Sequence, residues 1–210
     1  MTRILIADDH RMFREGLKRI IGDSPDLIVA GEASTGIEVL DKARKEEFDI
    51  VVLDISMPGM TGLDVLKQLK TERPELPVLI LSAHPEEQYA VRVLKAGASG
   101  YLTKESASDE LIAAVQKIAA GRKYVTASLA EKLACEIEND MEKPLHETLS
   151  DREYQVLLMI ASGKTVSQIG NELSLSVKTV SSYRTRILEK MRMKTNAELM
   201  HYAMKCHLPE

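Results

Sequence analysis

Along the first 121 residues, short apolar runs alternate with longer stretches in which apolar residues return every three or four positions. The runs fall at 4–7, 27–31, 50–53, 78–81 and 100–103. Most are continuous rather than alternating, as in strands covered on both faces. The amphipathic stretches predict helices over 11–22, 36–46, 62–72, 86–96 and 107–121, and Pro58-Gly59, Pro74 and Gly97 punctuate the joins. Strands alternating with helices predict an α/β fold: a doubly wound, five-stranded parallel sheet with helices on both sides.

After Gly121 the pattern changes. Residues 127–139 predict one more helix, and a polar stretch containing Pro144 follows it. From Ser150 onward only helical signals remain, near 150–162, 165–173, 177–192 and 195–205. The expected organisation is therefore an α/β domain over 1–121, a linker with a helix over 122–146, and an all-α domain over 147–210.

Charge divides along the same line. From His146 to Glu210 there are nine Lys and Arg against seven Asp and Glu; the remainder has nineteen against twenty-five. An acidic front and a mildly basic back suggest two tasks. No apolar run approaches the roughly 18 residues of a membrane span, and the N-terminus lacks a signal-peptide pattern, so a cytoplasmic protein without a membrane partner is expected. Cys135 and Cys206 sit in no metal-binding or disulfide spacing and read as ordinary thiols.

In a doubly wound sheet, functional groups gather at the carboxyl ends of the strands. Asp8 and Asp9 follow the first strand, Asp54 ends the third, Ser82 ends the fourth and Lys104 follows the fifth. Carboxylates converging on one point repel one another unless a cation sits among them. Mg2+ suits such a site, because it takes oxygen ligands and retains several waters. Ser82 and Lys104 can then hold an anionic group beside the metal. A carboxylate nucleophile, a metal and a lysine are what phosphoryl transfer requires. Taken singly, each residue reads equally as a turn, a cap or a solvated side chain; the set at four strand ends is the informative feature.

The segments Ile6-Ala7-Asp8-Asp9-His10, Leu53-Asp54-Ile55-Ser56-Met57-Pro58-Gly59 and Gly100-Tyr101-Leu102-Thr103-Lys104 resemble the receiver domain of two-component response regulators over residues 2–121. The resemblance implies a flavodoxin-like fold. It implies that Asp54 accepts a phosphoryl group from a sensor histidine kinase and that Asp8, Asp9, Asp54 and the Ser56 backbone carbonyl bind Mg2+. It further implies that Ser82 and Lys104 contact the phosphoryl oxygens and that Tyr101 is the switch aromatic. Ser82 stands where receivers often have Thr. Glu105 stands where Pro often follows the lysine, which leaves the geometry of that peptide bond open.

In the C-terminal part, Leu173-Ser174-Leu175-Ser176 interrupts a helical pattern, and Ser176 suits the N-cap of the next helix. There Val177, Val180, Ile187, Leu188 and Met191 share one side, while Lys178, Ser181, Ser182, Thr185, Arg186 and Glu189 share the other. Between 178 and 194 lie six basic residues and one acidic residue. Two short helices joined by a tight turn suit the DNA major groove, with Lys and Arg on phosphates and small hydroxyls near base edges. A solvated face on a helical bundle has the same pattern. Leu149-Ser150-Asp151-Arg152-Glu153, Ile160-Ala161-Ser162-Gly163-Lys164-Thr165, Ile169, Leu173, Ser176-Val177-Lys178-Thr179-Val180 and Lys190-Met191 resemble the LuxR-type helix-turn-helix over 147–208.

Taken together, the chain resembles the NarL/FixJ subfamily. The resemblance implies a phosphorylation-dependent transcription regulator, not an enzyme, that binds promoter DNA through Lys178, Thr179, Ser181, Ser182, Thr185, Arg186 and Lys190. It implies a homodimer when phosphorylated, with RNA polymerase as a further candidate partner. Tyr183, Val166 and Thr195-Asn196 depart from the commoner family residues. Two other readings compete: a regulator that binds DNA without phosphorylation and carries a vestigial receiver, and a small-ligand enzyme of similar fold. The enzyme lacks its phosphate-cradling glycine loop, and His10 and His84 have no evident nucleophile to serve.

Overall fold

The computed structural model describes residues 1–126, 129–131, 144–206 and 208. Most of the helix expected over 127–139, and Cys135 with it, lies outside the described residues. The chain divides into two compact units, Met1–Cys135 and Glu136–Glu210.

The first unit runs β1 (Thr2–Ala7), α1 (Arg11–Gly22), β2 (Leu27–Ala33), α2 (Gly36–Lys45), β3 (Ile50–Asp54), α3 (Gly62–Glu72), β4 (Val78–Ser82), α4 (Glu86–Lys95), β5 (Gly100–Thr103) and α5 (Ala107–Ala119). All strand pairs are parallel, in the order β2-β1-β3-β4-β5. Each crossover carries a helix, as parallel pairing demands. Thr35 and Thr61 start α2 and α3 by accepting the amides of Glu38 and Asp64.

One face of the sheet presents Ile4, Ile6, Ile50, Val52, Leu79, Leu81 and Leu102 to Leu17 and Ile21 of α1 and to Leu111, Ala114, Val115 and Ile118 of α5. The alternate residues Leu5, Val51, Leu53 and Ile80 are equally buried, which explains the unbroken apolar runs. β2 extends past the expected Gly31 to Ala33. It is an edge strand, and Glu32 is retained there by ion pairs to Arg14 and Lys18.

The second unit is helical. A 3-10 turn (Leu145–Thr148) precedes α6 (Asp151–Ala161), α7 (Val166–Glu172), α8 (Val177–Lys190) and α9 (Asn196–Lys205). Reciprocal capping boxes, Ser150 with Glu153 and Thr165 with Gln168, start α6 and α7. Between α7 and α8 the chain turns at Ser174, whose φ is 54°. Gly170 lets the Leu175 carbonyl approach so closely that a Cβ there would meet it at 2.8 Å. Val156, Leu157, Ile169, Val180, Ile187 and Leu199 are buried to completion, each contributing about 1.5–3 kcal/mol. Val177 departs from the expected apolar side: it is 52% exposed. It is the first residue of α8, at the exposed start of the helix.

Gly62 fixes the geometry behind β3. Its amide donates to the Ile55 carbonyl at 2.9 Å, and an added Cβ would lie 2.0 Å from the Asp54 carbonyl oxygen. The obstacle is backbone and cannot rotate away. Gly62→Ala is therefore expected to destabilise the first unit by about 1–3 kcal/mol, the usual cost of overpacking. Urea unfolding checks this, and a stability equal to wild type would mean that α3 can retreat without strain.

Candidate functional site

β1 and β3 are adjacent, so their carboxyl ends bring Asp8 and Asp54 side by side. Both are buried, each 1% exposed. Lys104, in the loop after β5, reaches between them, with Nζ 2.6 Å from Asp8 Oδ2 and 2.8 Å from Asp54 Oδ2. It donates a hydrogen bond to Asp54. Asp8 Oδ2 is within ion-pair distance of it but accepts no hydrogen bond of good geometry. The Lys104 ammonium also lies 4.8 Å from the centre of the Phe13 ring.

The remaining oxygens are held by backbone. The His10 amide donates to Asp8 Oδ1 at 2.7 Å, and the Ser56 amide to Asp54 Oδ1 at 3.1 Å. The Arg14 guanidinium donates to the Asp8 carbonyl at 2.6 Å and so anchors the end of β1. Asp9 is exposed, with Oδ1 2.8 Å from His10 Nδ1. One ligand atom from each of Asp8, Asp9, His10 and Asp54 lies within 4.8 Å of the others, a set that can hold a metal ion.

Burial pushes the Asp54 carboxyl up from its ordinary range. The Lys104 charge and hydrogen bond pull the other way, and Asp8 adds to the rise. Burial opposes charge on Lys104 too, but the Asp54 and Asp8 carboxylates outweigh it and hold the ammonium above its ordinary value. Pairing alone would lower Asp54; desolvation and the second carboxylate prevail.

Ser82 and Tyr101 meet through His84. The His84 amide donates to Ser82 Oγ at 3.1 Å, and the buried Tyr101 hydroxyl donates to the His84 carbonyl at 2.8 Å. The His84 ring lies 3.3 Å from Ser56 Oγ. The Lys104–Glu105 bond, left open by the sequence, is trans.

On α8, Lys178, Ser181, Ser182, Thr185 and Arg186 are exposed on a shared face. Ser182 and Thr185 donate back to the carbonyls of Lys178 and Ser181. Thr179 is occupied at the helix start, 2.8 Å from Ser176 Oγ. Lys190 is also engaged: its ammonium donates at 2.6 Å to Glu153, whose carboxylate is buried. Burial raises the Glu153 carboxyl, but Lys190 and the Ser150 amide and hydroxyl prevail and hold it below its ordinary range.

Residues 4–116 match the family described as the response regulator receiver domain, and residues 147–203 match the bacterial regulatory proteins of the luxR family. The chain belongs to the response regulators. Among its relatives, UvrY of Escherichia coli K12 is 35% identical over 206 residues, covering 98% of this chain and 94% of UvrY. GacA of Pseudomonas viridiflava is 36% identical over 206 residues, covering 98% and 96%. The structure is similar to that of RcsB from Salmonella enterica serovar Typhimurium bound to a promoter in the presence of the phosphomimetic BeF3-. Here the TM-score is 0.60, the identity 25%, and the coverage 96% of this chain and 97% of RcsB. The protein is thus a NarL/FixJ-type two-component regulator with a LuxR-type DNA-binding domain. Its relatives UvrY and GacA are response regulators. Among the described residues no helix is long and apolar enough to cross a membrane.

The regulator brings Asp8, Asp9, Asp54 and Lys104 together as the strand-end pattern predicts. Thr179, half-buried, is engaged with Ser176, and Lys190, though exposed, is ion-paired with Glu153. Gly62 and Arg14 escape sequence reasoning. A glycine after a threonine cap reads as ordinary helix start, and Arg14 reads as surface charge on α1. The contact of Lys190 with Glu153 joins residues 37 apart and leaves no local signal.

Removing the Lys104 ammonium strands two buried carboxylates. Without metal, Lys104→Met is expected to cost about 1–3 kcal/mol at neutral pH. A raised lysine contributes fully below its ordinary value near 10.5 and fades as pH rises through its folded value. The Asp54 carboxyl, pushed up by burial, protonates earlier than an ordinary aspartate as pH falls and then needs no cation. The deficit should therefore shrink on acidification toward the carboxylate range. Melting curves across pH check this; a constant deficit would contradict it.

Proposed function

We propose that the regulator is a phosphorylation-gated transcription factor in which Asp54 is the phosphoacceptor and a sensor histidine kinase the donor. The observation that carries this is the Lys104 ammonium drawn between two buried strand-end carboxylates, one of which keeps an oxygen without a hydrogen bond. A buried pair of like charges is costly in a purely structural site. It is useful where an anionic group and a cation are to be received. Mg2+ fits the donors, which are hard oxygens able to supply part of an octahedral shell. Asp8, Asp9, Asp54 and the Ser56 carbonyl would hold it, and it would supply positive charge to the phosphoryl oxygens.

The steps assigned to the protein's own groups are few. An Asp54 oxygen forms a bond to phosphorus as the bond to the donor's nitrogen breaks. Lys104 stays protonated and takes up charge on the transferred group. The Ser82 hydroxyl can donate to a phosphoryl oxygen while still accepting from the His84 amide. Tyr101, held by His84, shares any movement of that segment and is assigned the switch role. The acquired charge of about -1.5 to -2 then favours a homodimer that binds two-fold promoter DNA in the cytoplasm, where RNA polymerase is a candidate contact.

Asp54→Asn keeps the shape of the side chain and removes the nucleophile. With Mg2+ and acetyl phosphate it is expected to abolish acid-stable, base-labile labelling and the accompanying change in oligomeric state and DNA affinity. Undiminished labelling would move the phosphoacceptor elsewhere. DNA affinity that ignores the phosphoryl group in wild type would favour a constitutive regulator.

For DNA, Lys178 and Arg186 are assigned to phosphates, and Ser181, Ser182 and Thr185 to base edges. Lys178 and Arg186 are exposed. Arg186→Ala is expected to weaken specific and non-specific binding alike and to reduce the salt slope by about one. Ser182→Ala is expected to narrow the specificity ratio, at a cost of up to about 1–3 kcal/mol on the cognate site. Salt-dependent anisotropy titrations on cognate and scrambled duplexes separate the two. An unchanged slope for Arg186→Ala would refute its assignment.

A further inference from the structure

The segment leaving α5 is tied back onto the receiver. Tyr124 bridges to Gly100 along the open edge of β5, and its amide donates to the Ser99 carbonyl. Its hydroxyl donates to Glu110 of α5 at 2.7 Å. Two residues later, the Thr126 hydroxyl does two things at once. It donates to Glu86 at 2.5 Å and accepts the Leu129 amide at 3.2 Å. The Thr126 carbonyl accepts the Ala130 amide. Thr126 is thus the N-cap of the helical residues 129–131, and Glu86 is the first residue of α4.

Glu86 follows His84 and Pro85, the segment gripped by Ser82 and by the Tyr101 hydroxyl. A continuous path therefore runs from the strand-end hydroxyl of Ser82, through the His84 backbone, to the Glu86 carboxylate and the Thr126 hydroxyl. We propose that Thr126 and Glu86 form a latch that couples the phosphoacceptor site to the start of the linker helix. The proposal rests on the Asp54 reading given above and adds the route by which the signal leaves the receiver. A hydroxyl has one proton. When Ser82 is re-aimed toward a phosphoryl group, the 82–86 segment shifts with it, and Glu86 tightens or releases its hold on the cap. The stability of the cap at Leu129 and Ala130 then depends on the state of Asp54.

Hydrogen exchange of the full chain, with and without Mg2+ and beryllofluoride, reads this directly. In wild type the exchange of the Leu129 and Ala130 amides should change on adding the mimic. Glu86→Ala leaves the Thr126 cap intact and cuts only the path; Thr126→Val cuts both. Each should reduce the mimic-dependent change by about 2- to 30-fold, the double variant no more than Glu86→Ala alone, and Thr126→Ser should restore it. The latch is overturned if amides around Asp54 and Ser82 respond while those of Leu129 and Ala130 do not, or if Glu86→Ala responds as wild type does. If no amide responds anywhere, the Asp54 reading falls and the latch falls with it.

Discussion

Two carboxylates taken out of water within reach of one ammonium are the constraint around which the receiver is organised. In isolation, the Asp8 and Asp54 carboxylates would repel each other. The sheet imposes their proximity, because β1 and β3 are neighbours, Asp8 follows β1 directly and Asp54 ends β3. The loop after β5 returns the balancing charge. The surrounding contacts are fitted to this arrangement. Arg14 holds the carbonyl of Asp8, and Gly62 allows α3 to pack directly on the carbonyl of Asp54. These contacts fix the main chain of both aspartates, so the side chains meet with little freedom to avoid one another.

The DNA-binding unit handles buried charge differently. Glu153 receives the Ser150 amide and the Lys190 ammonium, and its carboxyl is held low. It is a satisfied group whose work is to join the start of α6 to the end of α8. The receiver instead leaves an oxygen without a hydrogen bond and a carboxyl held high. A fully satisfied charge stabilises a structure, whereas an incompletely satisfied one is poised to bind or react.

Much of this was legible in the sequence. Apolar runs located every receiver strand, most clearly β3 and β4, where burial on both faces leaves few polar positions to blur the pattern. The acidic residues were visible because they break those runs at their carboxyl ends. What escaped lies where distant parts of the chain meet. The end of β2 was cut short because an exposed edge tolerates Glu32. Val177 fits the apolar period of α8 yet stands half-exposed at the first position of the helix. Lys190 has the same charge as Arg186, and only the fold reveals that Glu153 waits beneath it. Thr126 did carry a signal, a threonine directly before a helical pattern, but its second bond to Glu86 spans 40 residues.

The order of the strands also distributes local stability. Asp54 closes β3, the middle strand, which is paired on both sides and buried along its whole length. Tyr101 lies on β5, the short edge strand, which among the described residues pairs in register with β4 and meets an isolated bridge at Tyr124. Opening free energies in proteins run from near zero at frayed edges to the global value in central strands. The proposed phosphoacceptor thus stands in the part of the receiver that opens last, and the aromatic assigned the switch role stands in a part that opens early. On the proposed reading, a charge added at Asp54 would meet a rigid central strand, and displacement would be cheapest at the β5 edge.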